Sequence, residues 1–275
     1  MSRVGDEPFV FGIPLIAQAA AADWVLVDRL LDLTLRSVLA QSDGDFRVVL
    51  AGHEPPPTWR KAATGDDRFT FLKADWPPEP PTAANDDGGR KKAMITGHVG
   101  GRGGGLLMFL DADDWVDREL VSTARARMGT GVVAALIDHG YAFDMPSGRA
   151  ARFPVAGGFE GAFHQLCGSS TVARIDPEND NPVFRDPRMM LGWHAGWHRV
   201  AAELGLPLVR LDLKGVYVVG TEQSHSERDG PYAAWRRDFA GTVRAVGRPL
   251  RDAEWRRFGL APDLLPLVHR QAPHP

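Results

Sequence analysis

The chain reads as an α/β protein with a largely parallel sheet covered by helices on both faces. Three observations predict this. Short apolar runs of strand length alternate with segments of helical period through the first half. Those runs are compact and apolar, as strands buried on both faces must be. One of them, LLMFL (106–110), ends in Asp111, Asp113 and Asp114. In parallel α/β sheets ligands gather beyond the carboxyl ends of the strands.

VFGIPLIA (10–17) reads as a buried strand running into a loop through Gly12 and Pro14. VDRLLDLTLRSVLAQ (27–41) sets Leu31, Leu35, Val38 and Leu39 on one face, which is helical spacing, and Asp43 with Gly44 can end it. FRVVLAG (46–52) is a strand, and HEPPPTW (53–59) is a stiff proline loop. RFTFLKA (68–74) is a third strand, and DWPPEPPTAANDDGGR (75–90) is irregular. GRKKAMITGHVGG (89–101) is a short helix, LLMFLDA (106–112) the strand after it, and DRELVSTARARM (117–128) a further helix.

The second half changes style. GVVAALIDHGYAF (131–143) reads as a strand that MPSG turns into RAARFPV (149–155). LCGSSTVARI (166–175) is another strand, and HAGWHRVAAELG (194–205) a helix stopped by Gly205. PLVRLD (207–212) and GVYVVG (215–220) read as two short strands. PYAAWRRDFAGTVRAVG (231–247) is an amphipathic helix opened by Pro231, and the last dozen residues are an irregular tail. No internal repeat is present.

At 275 residues the chain holds one or two domains, taking roughly 150 residues per domain as the rule. Its 32 basic and 35 acidic side chains leave a formal charge of -3 and no electrostatic footprint for a nucleic acid. The one cysteine, Cys167, allows no internal disulfide, which fits a reducing compartment. The opening MSRVGDEPFVFGIPLIAQ lacks the apolar core of a signal peptide, and no stretch reaches the ~20 apolar residues of a spanning helix. These points suggest a cytoplasmic protein, with loose contact at a membrane surface left open.

Residues two apart on an extended chain point the same way, so Asp111 and Asp113 can converge. Their like charges would then repel and raise a pKa unless a divalent cation or a set of donors relieved them. Magnesium and manganese prefer oxygen ligands, and phosphate oxygens can complete their shell. The ordinary alternative is a loop meeting a helix, with Asp114 as its cap.

FLDADDWVD (109–117) resembles the acidic segment of inverting nucleotide-sugar glycosyltransferases of the GT-A type, a family with many bacterial polysaccharide-synthesis enzymes. LLDLTLRSVLAQSDGDFRVVLAG (30–52) and GRKKAMITGHVGGRGGGLLMFLDADD (89–114) resemble the same family's earlier elements, in the same order, over roughly residues 8–125. The resemblance implies a Rossmann-like sheet whose 1–125 part holds a nucleotide-sugar donor and whose 126–275 part binds the acceptor within one compact domain. It implies Mg²⁺ or Mn²⁺ as cofactor, a donor such as a UDP-linked sugar, and a glycan, lipid-linked or small-molecule hydroxyl acceptor.

Residue by residue, the resemblance places Asp111 by the ribose and Asp113 on the cation. Pro14, Leu15 and Ile16 would line the nucleoside pocket, and Lys91 or Lys92 would approach the donor. Glu54, beside His53, stands where the family has an acidic residue for the base or ribose. His225 is the carry-over for a histidine in the closing loop near the cation, and Arg228 could meet phosphate oxygens. Each of these has a plain alternative as a solvated loop or helix face.

The main departure from the family lies in MMLGWHAGWHR (189–199). The family has an acidic pair there whose aspartate deprotonates the acceptor; this chain has Trp193 and His194. Three readings stay open: His194 as base, Asp186 reaching in from the preceding loop, or an activity lost or altered. His194 and His198 have helical i,i+4 spacing but lack the glutamate of an HExxH zinc site. Trp193 and Trp197 are candidates to stack on an acceptor sugar. GRGGG (101–105) lacks the Lys-Ser/Thr ending of a phosphate loop and reads as a mobile or tight connection.

The expected reaction is transfer of a sugar from a nucleotide diphosphate to a hydroxyl, with inversion and a divalent ion on the leaving group. Two alternatives remain. A nucleotidyltransferase would carry a glycine-rich basic loop after the first strand, which GIPLIAQAAAADW (12–24) does not show. A non-catalytic sugar-nucleotide or glycan-binding protein would account for the missing acidic pair.

Overall fold

The computed structural model describes residues 7–80, 86–223, 225–228 and 230–265, without the side chains of residues 225 and 226. Strands β1 (Phe9–Pro14), β2 (Arg47–Gly52), β3 (Phe69–Lys73) and β4 (Gly105–Phe109) lie in the order β3-β2-β1-β4, all parallel. Helix α1 (Trp24–Leu39) joins β1 to β2, α2 (Pro57–Ala63) precedes β3, and α3 (Asp86–Gly100) leads into β4.

Strand alternation divides the core into two layers. Phe9, Phe11, Ile13, Val48 and Leu50 pack against Val27, Leu31, Leu35 and Val38 of α1. The intervening residues Val10, Val49, Ala51 and Leu107 pack against Ile95 and Val99 of α3. Both faces are therefore covered, which is why these strands carry almost no polar residues. Helix α1 starts where the Asp23 carboxylate accepts a hydrogen bond from Leu26 N at 2.9 Å, an N-cap. Gly12 lets α3 come close: a Cβ there would stand 2.6 Å from Ile95 Cγ2.

Beyond β4 the sheet is mixed. The chain continues through β5 (Trp115–Val116), α4 (Leu120–Arg127), β6 (Ala134–Asp144), β7 (Arg149–Arg152), α5 (Phe163–Leu166) and β8 (Thr171–Ile175). It then forms α6 (Pro187–Leu191), α7 (Trp197–Glu203), β9 (Leu208–Val219), α8 (His225–Arg228), α9 (Ala233–Val246) and α10 (Asp252–Arg257). The strand order is β3-β2-β1-β4-β8-β6-β9-β5, with β7 added on β6. Strand β8 runs antiparallel to β4 and β6, while β9 runs parallel to β6. This is the α/β, Rossmann-like arrangement expected, parallel in its first half.

Four local expectations need correction. HEPPPTW is not all loop, because Pro57 opens α2 at a position where a missing N–H costs nothing. PLVRLD and GVYVVG are one continuous strand, β9, that follows β6 through a register shift between Ile137 and His139. The segment 194–205 is not one helix: His194–Gly196 is a 3-10 turn and α7 begins at Trp197. The region 75–90, read as irregular, contains the start of α3, whose first-turn Asp86 and Asp87 suit the positive helix end despite Gly88 and Gly89.

Candidate functional site

The three aspartates at the tip of β4 have separate fates. Past the strand's end Leu110 N still donates to Gly12 O at 2.9 Å, and Asp111 N donates to Ser169 Oγ at 2.8 Å. Asp114 is fully buried; its Oδ1 accepts from Val218 N at 2.9 Å and its Oδ2 lies 3.3 Å from the Cys167 thiol. It stitches the turn to β9 and α5 rather than capping a helix. Asp111 and Asp113 are half-buried, and among the described residues no other residue's N–H or O–H donates to their carboxylates.

Burial dominates the electrostatics. It pushes Asp113 well above the usual carboxylate range, with repulsion from Asp114, Asp111 and Glu227 added to it. Asp114 is pushed up to about 7 by burial and by Asp111, held back by its hydrogen bonds to Ser169, Val218 and Cys167. The Cys167 thiol is also pushed up, by burial and then by Asp114 and Asp111.

That donor set fits a divalent cation shared with a diphosphate. A magnesium-type ion takes one or two carboxylates and completes its shell with phosphate and water oxygens. Asp111 and Asp113 offer two unengaged carboxylates whose mutual repulsion a dication relieves. Among the described residues no group of three or more His, Cys, Asp or Glu side chains could hold a metal ion by itself. Asp114 and Glu227 have both oxygens occupied, Glu227 by the amides of Gly220 at 2.7 Å and Glu222 at 2.9 Å. His225 starts α8, and its side chain lies outside the described residues.

The other expected donor contacts fall around the end of β1. Pro14 and Ile16 are half-buried, while the Leu15 side chain is in the core. Leu15 N continues the ladder to Ala51 O at 2.9 Å. Lys91 is fully buried and donates to Leu15 O at 2.6 Å and to Asp87 Oδ2 at 2.5 Å. Its ammonium is a strut under the β1 loop, and burial lowers its pKa against the pull of Asp87 and Glu54. Glu54 accepts from Gln18 N across the same loop. Lys92, one residue on, has its ammonium 5.8 Å from the centre of the Phe109 ring and no carboxylate partner among the described residues. Arg228 donates to Ala20 O at 2.9 Å, which fastens the α8 turn to the loop after β1.

On the other side stands His194. Its Nδ1 is 2.6 Å from the carbonyl oxygen of His164 on α5. A carbonyl only accepts, so Nδ1 carries the hydrogen and Nε2 keeps its lone pair. Burial pulls the His194 pKa down to about 4, further lowered by Lys92 and Arg236 and partly restored by His164 and Asp111. The ring is therefore neutral at pH 7 and lies within electrostatic reach of Asp111, Lys92 and Arg236. Trp193 is 62% exposed and meets the His194 ring edge-on at 4.7 Å, free to cover a ligand. Trp197, the first residue of α7, instead packs in the core with Leu191 of α6, its Nε1 donating to Gly192 O at 3.0 Å. His198 is exposed, one turn removed. Asp186 is engaged by Arg188 at 3.0 and 2.8 Å.

Three residues at this site gave no signal in the sequence. Ser169 accepts from the Asp111 amide 58 residues away, and Glu227 reaches back across a loop to amides seven and five residues before it, so only the fold reveals them. Arg236 lies within an ordinary amphipathic pattern; nothing in its spacing marks it.

No protein-family model matches this chain, and no curated protein matches it. Among solved structures it is similar to a 1–349 fragment of S. aureus TarS, at 10% identity over 77% of this chain and 60% of that one, with a TM-score of 0.47. It is similar to the glycosyltransferase GlyE of Streptococcus pneumoniae TIGR4, at 11% identity over 95% and 62%, TM-score 0.43. A 4-diphosphocytidyl-2C-methyl-D-erythritol synthase is similar at 12% identity over 74% and 88%, TM-score 0.36. The chain spans 60% of the TarS fragment and 37% of the longer TarS chain. Similarity of this size carries no chemistry, which rests on the residues above.

Proposed function

We propose that this chain transfers a sugar from a nucleotide diphosphate to a hydroxyl acceptor with inversion, using Mg²⁺ or Mn²⁺. The observation that carries the reading is the pairing of two unengaged carboxylates, Asp111 and Asp113, with a neutral imidazole whose Nε2 lone pair is free. The division into a donor part over 1–125 and an acceptor part over 126–275 belongs to the same proposal.

In this reading Asp113 would hold the cation and Asp111 would sit by the ribose. The cation, when bound, offsets charge on the leaving diphosphate. Lys92 adds a positive charge on the donor side. Pro14, Ile16 and Glu54 contact the nucleoside, while Lys91 and Arg228 hold the loop that carries it. His194 Nε2 takes the proton of the acceptor hydroxyl as that oxygen attacks the anomeric carbon; the C–O bond to the diphosphate breaks with its electron pair. Trp193 covers the acceptor beside His194.

A second reading is a binding protein without turnover. The observation that favours it is the low basicity of His194, whose pKa of about 4 makes a weak proton acceptor. Screening nucleotide sugars by thermal shift with Mg²⁺ or Mn²⁺, then following donor consumption with candidate acceptors, separates the two. Donor binding without any transfer across a broad acceptor panel supports the second reading. No nucleotide binding at all sinks the transfer reading and leaves only the glycan-binding form of the second.

A further inference from the structure

A groove opens beside His194, between α6 and the turn that leads into α7. It measures about 460 Å³, and its walls include Met189, Met190, Trp193, Gly196, Arg199 and Val200. The rim is apolar and in water: Met189 is 77% exposed, Met190 44% and Trp193 62%. Large apolar side chains clustered in water mark a surface that something else covers. The charged wall residue, Arg199, donates to Glu203 at 2.7 Å along the same helix.

Gly196 is a second and independent observation. Its backbone, at φ -95° and ψ -7°, is a right-handed conformation open to other residues. A Cβ built on it would meet no atom within 4 Å. Neither conformation nor internal packing calls for a glycine, so a side chain there would only take up the groove. The groove also shares a wall with the proposed base. Trp193 lines it, and the same indole meets the His194 ring edge-on at 4.7 Å.

We infer that this groove seats the hydrocarbon chain of the acceptor, so that the hydroxyl offered to His194 belongs to an amphiphile, a sugar or alcohol carried on an alkyl or lipid tail. The word acceptor rests on the sugar-transfer reading; the seat for a chain does not. The volume falls within the roughly 300–1,000 Å³ usual for a small-molecule site. Methionines adapt to a flexible chain, and a tryptophan gives it a rigid apolar face. A bilayer surface is met by protruding apolar side chains with unpaired cations for anionic lipid, whereas this site is a hollow whose arginine is paired. A stable interface with a second copy buries about 800 Å² per partner, far more than a groove of this size presents.

The test is calorimetric titration of octyl and decyl glucoside, both below their micelle concentrations, and of glucose. The wild type is compared with Gly196→Leu, which fills the groove, and with Leu204→Ser, which removes an exposed apolar side chain outside it. The expected result is that the alkyl glucosides bind the wild type and glucose does not. Two added methylenes raise the affinity about tenfold. Binding is at least tenfold weaker in Gly196→Leu, with its melting temperature kept, and unchanged in Leu204→Ser. Equal binding in Gly196→Leu, or no binding of the glucosides to the wild type, would overturn the inference. In the second case, cosedimentation with phosphatidylcholine vesicles assigns the patch to a bilayer, and concentration-dependent self-association assigns it to a second copy. Chain binding without donor consumption keeps the groove and removes the transfer reading. Where transfer is observed, a free sugar used as well as its alkyl glycoside overturns the acceptor assignment.

Discussion

His194 Nδ1 lies 2.6 Å from the carbonyl oxygen of His164, so the fold itself selects the tautomer that leaves Nε2 as the basic atom. Burial holds the ring neutral down to about pH 4. With the cation saturating, so that Asp113 stays ionised, the acidic limb that His194 contributes to the pH–rate profile for kcat/KM falls near 4, not near the ordinary histidine value. His194→Ala is expected to lower kcat/KM by ~10²–10⁴-fold, the usual span for loss of a general base, with donor affinity nearly intact. His198→Ala leaves turnover close to wild type. Full turnover in His194→Ala, under conditions where chemistry limits the rate, removes His194 from the mechanism.

Much of this was legible in the sequence, and the boundary is physical. Strands β1 to β4 are buried on both faces, so their apolar runs stand out, and their order places Asp111 just past a carboxyl end. The state of His194 was not legible, because its partner is a carbonyl thirty residues away. Lys91 and Lys92 look alike in the sequence, yet one is a buried strut and the other faces the site rim. Helical periodicity marks which face of α3 is buried only when the face is apolar, and Lys91 is a charge on that face. Arg228, read as a phosphate ligand, also donates from Nη1 to Ala20 O, a contact that depends on the meeting of two loops.

Asp117 looks equivalent to Asp113 in FLDADDWVD but is fully buried, 2.8 Å from Arg257 Nη1 and 3.3 Å from Lys214 N. Asp117→Ala is therefore expected to cost about 1–3 kcal/mol of stability, the worth of hydrogen bonds to a buried carboxylate. It should lower the urea midpoint while leaving the donor affinity of the folded fraction unchanged. A donor-binding defect in Asp117→Ala with wild-type stability would reverse the two roles.

Lys91→Met removes the strut beneath Leu15 O. Loss of a hydrogen-bonded buried ammonium leaves that carbonyl and Asp87 Oδ2 unpaired, so the melting temperature falls. Nucleotide affinity falls with it, since the loop after β1 is no longer held. Lys92→Met is expected to keep the melting temperature and lose donor affinity alone. Differential scanning calorimetry with nucleotide titration reads both effects, and an unchanged melting temperature in Lys91→Met contradicts the strut.

Asp114 holds its proton to about pH 7 in the fold but loses it near 3.8 when unfolded. A folded pKa raised above the unfolded value gives stability that is complete at low pH and lost as pH rises between about 4 and 7. His194 works in the opposite sense over the same window, since its folded pKa is lowered. Comparison with Asp114→Asn isolates the first effect. In chelator the wild type is expected to lose stability relative to Asp114→Asn between pH 5 and pH 7.5. An identical pH dependence in the two proteins would show that Asp114 is ionised throughout.

The most direct test of the central claim is calorimetric titration of a nucleoside diphosphate with Mn²⁺ and with chelator, in the wild type and in Asp113→Asn. The amide matches the protonated carboxyl that burial favours without a cation, so the fold is expected to stand. The account predicts affinity at least tenfold weaker in chelator for the wild type, and a weak, cation-independent affinity for Asp113→Asn. Equal nucleotide affinity with Mn²⁺ and with chelator in the wild type would contradict it.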